Sequence, residues 1–246
     1  MPTKSTEKLP AKPPSLKSLF PHEHTLIPPL FQYLSHTHTP VPTPLIAQEL
    51  EISRGIVRAD IALLTDHLHG FEIKAGNDSL TRLPLQIQHY DAVFQYNWLI
   101  TTPNHLKKAQ TILPPWWGIL VPAFDTPTEP LQPSKTTSQD PQELTPLPLP
   151  CPPLKEALSV LKPAALNPSQ LPLALAKLLW KEELLSSLKN LNLHKGNSTL
   201  NKQQLYKKLI LALPLPDLNH LVLHTLRNRT AWRAYPLPPQ RSHHTP

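Results

Sequence analysis

A chain of 246 residues is long enough for one sizeable domain and a smaller one, and its formal net charge is +7. The single cysteine, Cys151, excludes an internal disulfide framework, and no apolar run approaches the length that spans a bilayer. The opening "MPTKSTEKLPAKPPSLKSLF" lacks a continuous apolar stretch of signal-peptide type, so the expectation is a cytoplasmic protein with no membrane partner.

Thirty-three prolines against five glycines punctuate the chain, because proline removes a backbone donor and interrupts helices and central strands. Residues 1–21 read as a flexible Pro/Lys-rich lead. "LIPPLFQYL" and "PTPLIAQEL" then read as short helical stretches. "GIVRADIALL" alternates as a strand, "TDHLHG" supplies a turn and "FEIKA" is the return strand. "NDSLTRLPLQIQHYDAVF" opens with capping residues and continues as an amphipathic helix with Pro84 in its first turn. "YNWLITT" reads as a strand, "PNHLKKAQTIL" as a helix and "WWGILVP" as a closing strand. This α-β-β-α-β-α-β order implies a mixed sheet with helices on its faces, placed at 22–123. Residues 124–153, ending in "TPLPLPCPP", read as a Pro-rich linker. Residues 154–233 read as a helical domain, with apolar stripes Trp180, Leu184, Leu188, Leu191 and Leu218, Leu221, Val222, Leu226. Residues 234–246 read as a flexible tail.

The charge is unevenly divided. Residues 41–123 carry six Lys/Arg against seven Asp/Glu, whereas 154–233 carry twelve against four. A compact basic segment is the electrostatic footprint of a polyanion partner, most often nucleic acid; surplus lysine that keeps a leucine-rich bundle soluble gives the same pattern. The same helices also offer a face for a homo-oligomer or a protein partner.

One face of the expected hairpin is charged. Asp60, Glu72 and Lys74 share strand parity, and a turn centred on Asp66 sets Glu72 opposite Asp60, while a centre at His67 sets Lys74 there. Neighbouring carboxylates repel unless a cation sits between them, and Mg²⁺ or Mn²⁺ prefers such oxygen ligands. Lys74 would then polarise a bound water or stabilise charge on a phosphate. A solvated face with a salt bridge is the plainer reading. Arg58 shares that face and Arg82 opens the next helix; either offers a planar fork to a phosphate. The pairs "HEH" at 22–24, "HTH" at 36–38 and "HLH" at 67–69 lack any zinc-like framework.

Asp60 followed by Glu72-Ile73-Lys74 resembles the PD-(D/E)xK motif of nucleases with a restriction-endonuclease-like fold. Gln86-Ile87-Gln88-His89-Tyr90 resembles the QhxxY helix motif of RecB-type members. The longer pattern "VRADIALL…LHGFEIK…LTRLPLQIQHYDAVF", with "LALAKLLWKEELL" and "RNRTAWR" downstream, is similar to an uncharacterised bacterial family of that superfamily. The resemblance implies an α/β fold of the restriction-endonuclease type and a Mg²⁺- or Mn²⁺-dependent nuclease acting on DNA. It implies that Asp60 and Glu72 hold metal, joined by Glu49 in preference to Glu51 and by the carbonyl of Ile73. It makes Lys74 catalytic, and Gln86 and Tyr90 positioning residues. Ala59 stands where the motif has proline. The rival expectation is a catalytically inactive nucleic-acid-binding or regulatory protein retaining that fold.

Overall fold

The structure is a computed structural model and describes residues 20–37, 45–53, 56–122 and 158–229. Residues 1–19 of the expected lead at 1–21, the whole of the expected linker at 124–153 with Cys151, and the expected tail at 234–246 lie outside the described residues.

A six-stranded mixed sheet runs in chain order: β1 (Leu45–Glu51), β2 (Arg58–Leu64), β3 (Leu68–Lys74), β4 (Tyr96–Thr101), β5 (Gly118–Pro122) and β6 (Leu158–Lys162). The first three strands form an antiparallel meander. β3, β4 and β5 are parallel, and β6 closes the edge antiparallel to β5. Parallel neighbours need crossovers, which α2 (Leu83–Asp91) and α3 (Pro103–Ile112) supply. Both helices carry proline at their first positions, where its missing N–H has no intrahelical role.

Two apolar clusters sandwich the sheet. On one face α1 (Ile27–Thr37) sets Leu30 and Leu34 against Ile61, Leu63, Phe71 and Ile73. On the other, Leu83, Ile87 and Tyr90 of α2 join Ala62, Leu64 and Leu99. That second cluster continues into α4 (Pro172–Ala176), α5 (Lys181–Asn190), α6 (Lys202–Ala212) and α7 (Leu215–Arg227) through Leu175, Leu184, Leu205, Leu218 and Val222. Polar contacts fix the same junction. Asn167 donates to the carbonyls of Asp91 and Phe94 at 2.7 and 2.8 Å, and Arg227 donates to those of Leu64 and Thr65. The C-terminal helices therefore share a core with the sheet.

Three expectations need correction. "PTPLIAQEL" reads as a helix in sequence, yet 45–51 is β1. Leu, Ala, Gln and Glu favour helices locally, but pairing along β2, from Leu45 with Leu64 to Glu51 with Arg58, outweighs a preference of tenths of a kcal/mol per residue. "LSVLK", expected inside an all-helical segment, is the edge strand β6. Finally, the helix expected through "LALAKLLWKEELL" breaks at Trp180, which caps α5 and stays 45% exposed where an apolar stripe implies burial.

Tight packing on β5 gives a first testable outcome. A Cβ at Gly118 would overlap the Trp98 ring and come within 2.8 Å of the backbone nitrogen of Ala164. Backbone yields less readily than a side chain, so Gly118→Ala should cost about 1–3 kcal/mol. Chemical denaturation measures it, and an unchanged midpoint would contradict the packing described.

Candidate functional site

The turn at 65–67 settles the hairpin register. Leu64 pairs with Leu68 and Ile61 with Phe71, a pattern centred on Asp66. Asp60, Glu72 and Lys74 thereby share the sheet face that α2 covers, at the end where β2 begins and β3 finishes. Lys74 Nζ lies 2.5 Å from Glu72 Oε1, and Gln86 Nε2 donates to the same oxygen. Glu72 is fully buried, Lys74 and Gln86 nearly so. Asp60, half-buried, accepts the Ile73 N–H on Oδ2 at 2.7 Å. Glu72 Oε2 and Gln86 Oε1 are buried acceptors without a hydrogen bond.

An open notch of about 650 Å³ sits above this cluster, lined by Asp60, Lys74 and Gln86 with Glu49, Arg58 and Arg82 at its rim. Each of the expected site residues except Glu72 and Tyr90 faces that space. Tyr90 is a correction: it is fully buried, donating its hydroxyl proton to the Phe71 carbonyl and accepting the Asp60 N–H. It braces β2 against β3 beneath the notch, and its hydroxyl also meets the Glu72 carboxylate. Glu49 is a second correction. It lies on a strand, not a helix, in the left-handed region at φ 53°, and its carboxylate pairs with Arg58 at 3.6 Å. Glu51 is exposed on the same strand. Among the described residues, no group of three or more His, Cys, Asp or Glu side chains is arranged to hold a metal ion.

A carboxylate that sequence reasoning missed completes the cluster. Glu23, on a single 3-10 turn at Glu23–Thr25, reaches Lys74 Nζ at 3.5 Å. The ammonium thus faces Glu72, Asp60 and Glu23. Burial lowers the proton affinity of Lys74, but these acids outweigh it and leave the ammonium held above its ordinary value.

Burial, reinforced by the charge of Glu72, pushes the Asp60 carboxyl well above the usual carboxylate range. Burial also raises Glu72, against the opposing pull of Lys74. A carboxyl raised by folding binds its proton more tightly in the native state, so its penalty is absent below the ordinary carboxylate range. The penalty grows as pH climbs through the raised folded value. Asp60→Asn, which can still accept from Ile73, should therefore be more stable than the parent at neutral pH and equal to it near pH 3. Each kcal/mol gained would appear as a rise of about 2–4 °C in Tm for a chain of this size. A parent more stable than Asp60→Asn at pH 7 would overturn this ordering.

Residues 22–143 match the family described as Bacteriophage P4 protein cII. No curated protein and no solved structure matches the chain. The family match corrects the resemblance drawn from sequence. It spans every residue of the Asp60…Glu72-Ile73-Lys74 and Gln86…Tyr90 patterns, and it places them in the pattern of a phage protein family, not of a PD-(D/E)xK nuclease family. Such patterns are short, and an x-flanked Glu and Lys recur on many strand faces. Among the described residues no helix is long and apolar enough to cross a membrane.

Proposed function

We propose that this protein is a regulatory protein that acts by binding nucleic acid. The observation that carries the reading is the match of residues 22–143 to the bacteriophage P4 cII family, a family of phage regulatory proteins. Charge supports the mode of action. Described residues 158–229 hold ten Lys and Arg against three Asp and Glu, whereas those from 20 to 122 hold five against eight. Lys181, Lys189, Lys195 and Lys207 are exposed on or beside the C-terminal helices. A surface of that sign binds phosphates with release of condensed counterions, so affinity must fall as salt rises. Fluorescence anisotropy with labelled DNA should show saturable binding that weakens about tenfold or more between roughly 50 and 200 mM salt, equally in EDTA. Absence of binding at low salt would contradict the reading.

The convergence of Asp60, Glu72 and Lys74 favours a second reading, hydrolysis of phosphodiester bonds. Asp60 at the notch and the buried Oε2 of Glu72 behind it are oxygens of the kind that suit Mg²⁺ or Mn²⁺, which would supply positive charge beside Lys74. Lys74 would stabilise charge developing on a phosphate, with Arg58 and Arg82 orienting the strand from the rim. This reading differs in one observable, Mg²⁺-dependent strand scission.

A further inference from the structure

A second, larger groove of about 1010 Å³ adjoins the notch, and the two share Glu49, Ile56 and Arg58. Its far wall comes from the C-terminal helices. Trp180 occupies the N-cap of α5, where Ser, Thr, Asp or Asn is usual because their side chains accept an orphan N–H. Instead the indole stands outward, 45% exposed, on the groove wall. It is not loose. The Arg229 guanidinium lies 4.1 Å from the ring centroid, and Glu183 fixes that guanidinium through both carboxylate oxygens at 2.7 and 2.6 Å. An indole braced by a locked cation loses little freedom when a second planar group stacks on its exposed surface. Lys177 and Lys202, both exposed, line the same groove, the Lys202 amine over the Tyr206 ring at 5.6 Å. Glu51 also faces the groove, and Glu49 is answered by Arg58.

We infer that this groove is the path of a single nucleic-acid strand, with a base stacked on Trp180 and phosphates met by Lys177 and Lys202. The strand leaves past Arg58 towards the Lys74 notch. A duplex buries its base faces and has no use for a stacking platform; a single strand offers them. The assignment rests on the nucleic-acid reading above and specifies the form of nucleic acid that the groove accepts.

The test uses the full chain with a labelled oligothymidylate of about 20 nucleotides and a blunt duplex of similar length, at about 100 mM salt. Stacking contributes about 1–3 kcal/mol per base, so Trp180→Ala should weaken single-strand binding roughly tenfold and leave duplex binding nearly unchanged. Lys177→Gln with Lys202→Gln should lower the slope of log affinity against log salt by about 1.4, at ~0.7 for each phosphate no longer neutralised. Both lysines are exposed, so this pair decides the matter even if Trp180→Ala does not fold. Parent-like single-strand binding by the lysine pair overturns the groove and leaves the nucleic-acid reading standing. A parent that binds neither oligonucleotide overturns both.

Discussion

Lys74→Met should lose about 3–5 kcal/mol of folding stability at neutral pH, the usual consequence of leaving one member of a buried ion pair alone. Lys74 Nζ is 2.5 Å from Glu72 Oε1, and both side chains are at least nine-tenths buried. Methionine fills similar space but cannot answer the carboxylate. The loss should carry a pH signature. Without the ammonium, burial holds the Glu72 proton even more firmly in the native state, so the deficit is full at neutral pH. It shrinks as pH falls through the raised folded value towards the ordinary carboxylate range. Adding Glu72→Gln should restore most of the lost stability at pH 7, since the double variant no longer buries the Glu72 carboxylate without its partner. Urea titrations of the parent, both single variants and the double give the coupling directly. Additive losses would contradict a coupled buried pair.

Asp91→Ala should be comparably damaging by a different mechanism. Oδ1 of Asp91 accepts three side-chain N–H groups, from Asn97 at 2.8 Å, Trp116 at 3.0 Å and Trp117 at 2.8 Å. That one oxygen ties the end of α2 to β4 and to the entry of β5. Trp117 and Asn97 are fully buried, so alanine would leave both donors without a partner. Each orphaned donor costs about 1–3 kcal/mol, which sums to roughly 3–6 kcal/mol with the missing Trp116 bond. Asp91→Asn keeps an acceptor oxygen and should lose far less. Thermal unfolding of the two variants distinguishes the effect of hydrogen bonds from that of charge, and equal losses would contradict this account.

Much of the sheet was legible because its strands obey simple periodicity. "GIVRADIALL" alternates, "FEIKA" follows a turn, and Pro84 and Pro103 mark helix starts. Parity alone put Asp60, Glu72 and Lys74 on one face. β1 was not legible, since its residues favour helix locally and only the partner strand decides otherwise. β6 was hidden for a related reason: Val160 and Leu161 are both largely exposed at the sheet edge, so no burial period marks the strand. Glu23 lies 51 residues before Lys74 on a short turn, and no spacing rule joins them. Tyr90 and Gln86 share a helix face, yet Gln86 meets the notch while Tyr90 passes beneath it to Phe71. Helical spacing gives direction but not depth. The assignment to a nuclease superfamily, drawn from the Asp60…Glu72-Ile73-Lys74 and Gln86…Tyr90 motifs and from a longer pattern around them, is overturned by the match of residues 22–143 to the family described as Bacteriophage P4 protein cII.

Binding without cutting is the central claim, and a single measurement addresses it. Labelled single-stranded and duplex DNA are held with saturating protein in Mg²⁺ for hours, then run on a denaturing gel beside samples kept in EDTA. The DNA should be bound in the native assay and full length in every denaturing lane. Fragments that appear only with Mg²⁺ or Mn²⁺ and vanish in a folded Lys74→Met protein, at acid-stabilised or low-temperature conditions where it stays native, would contradict it and place hydrolysis at the Asp60–Glu72–Lys74 cluster.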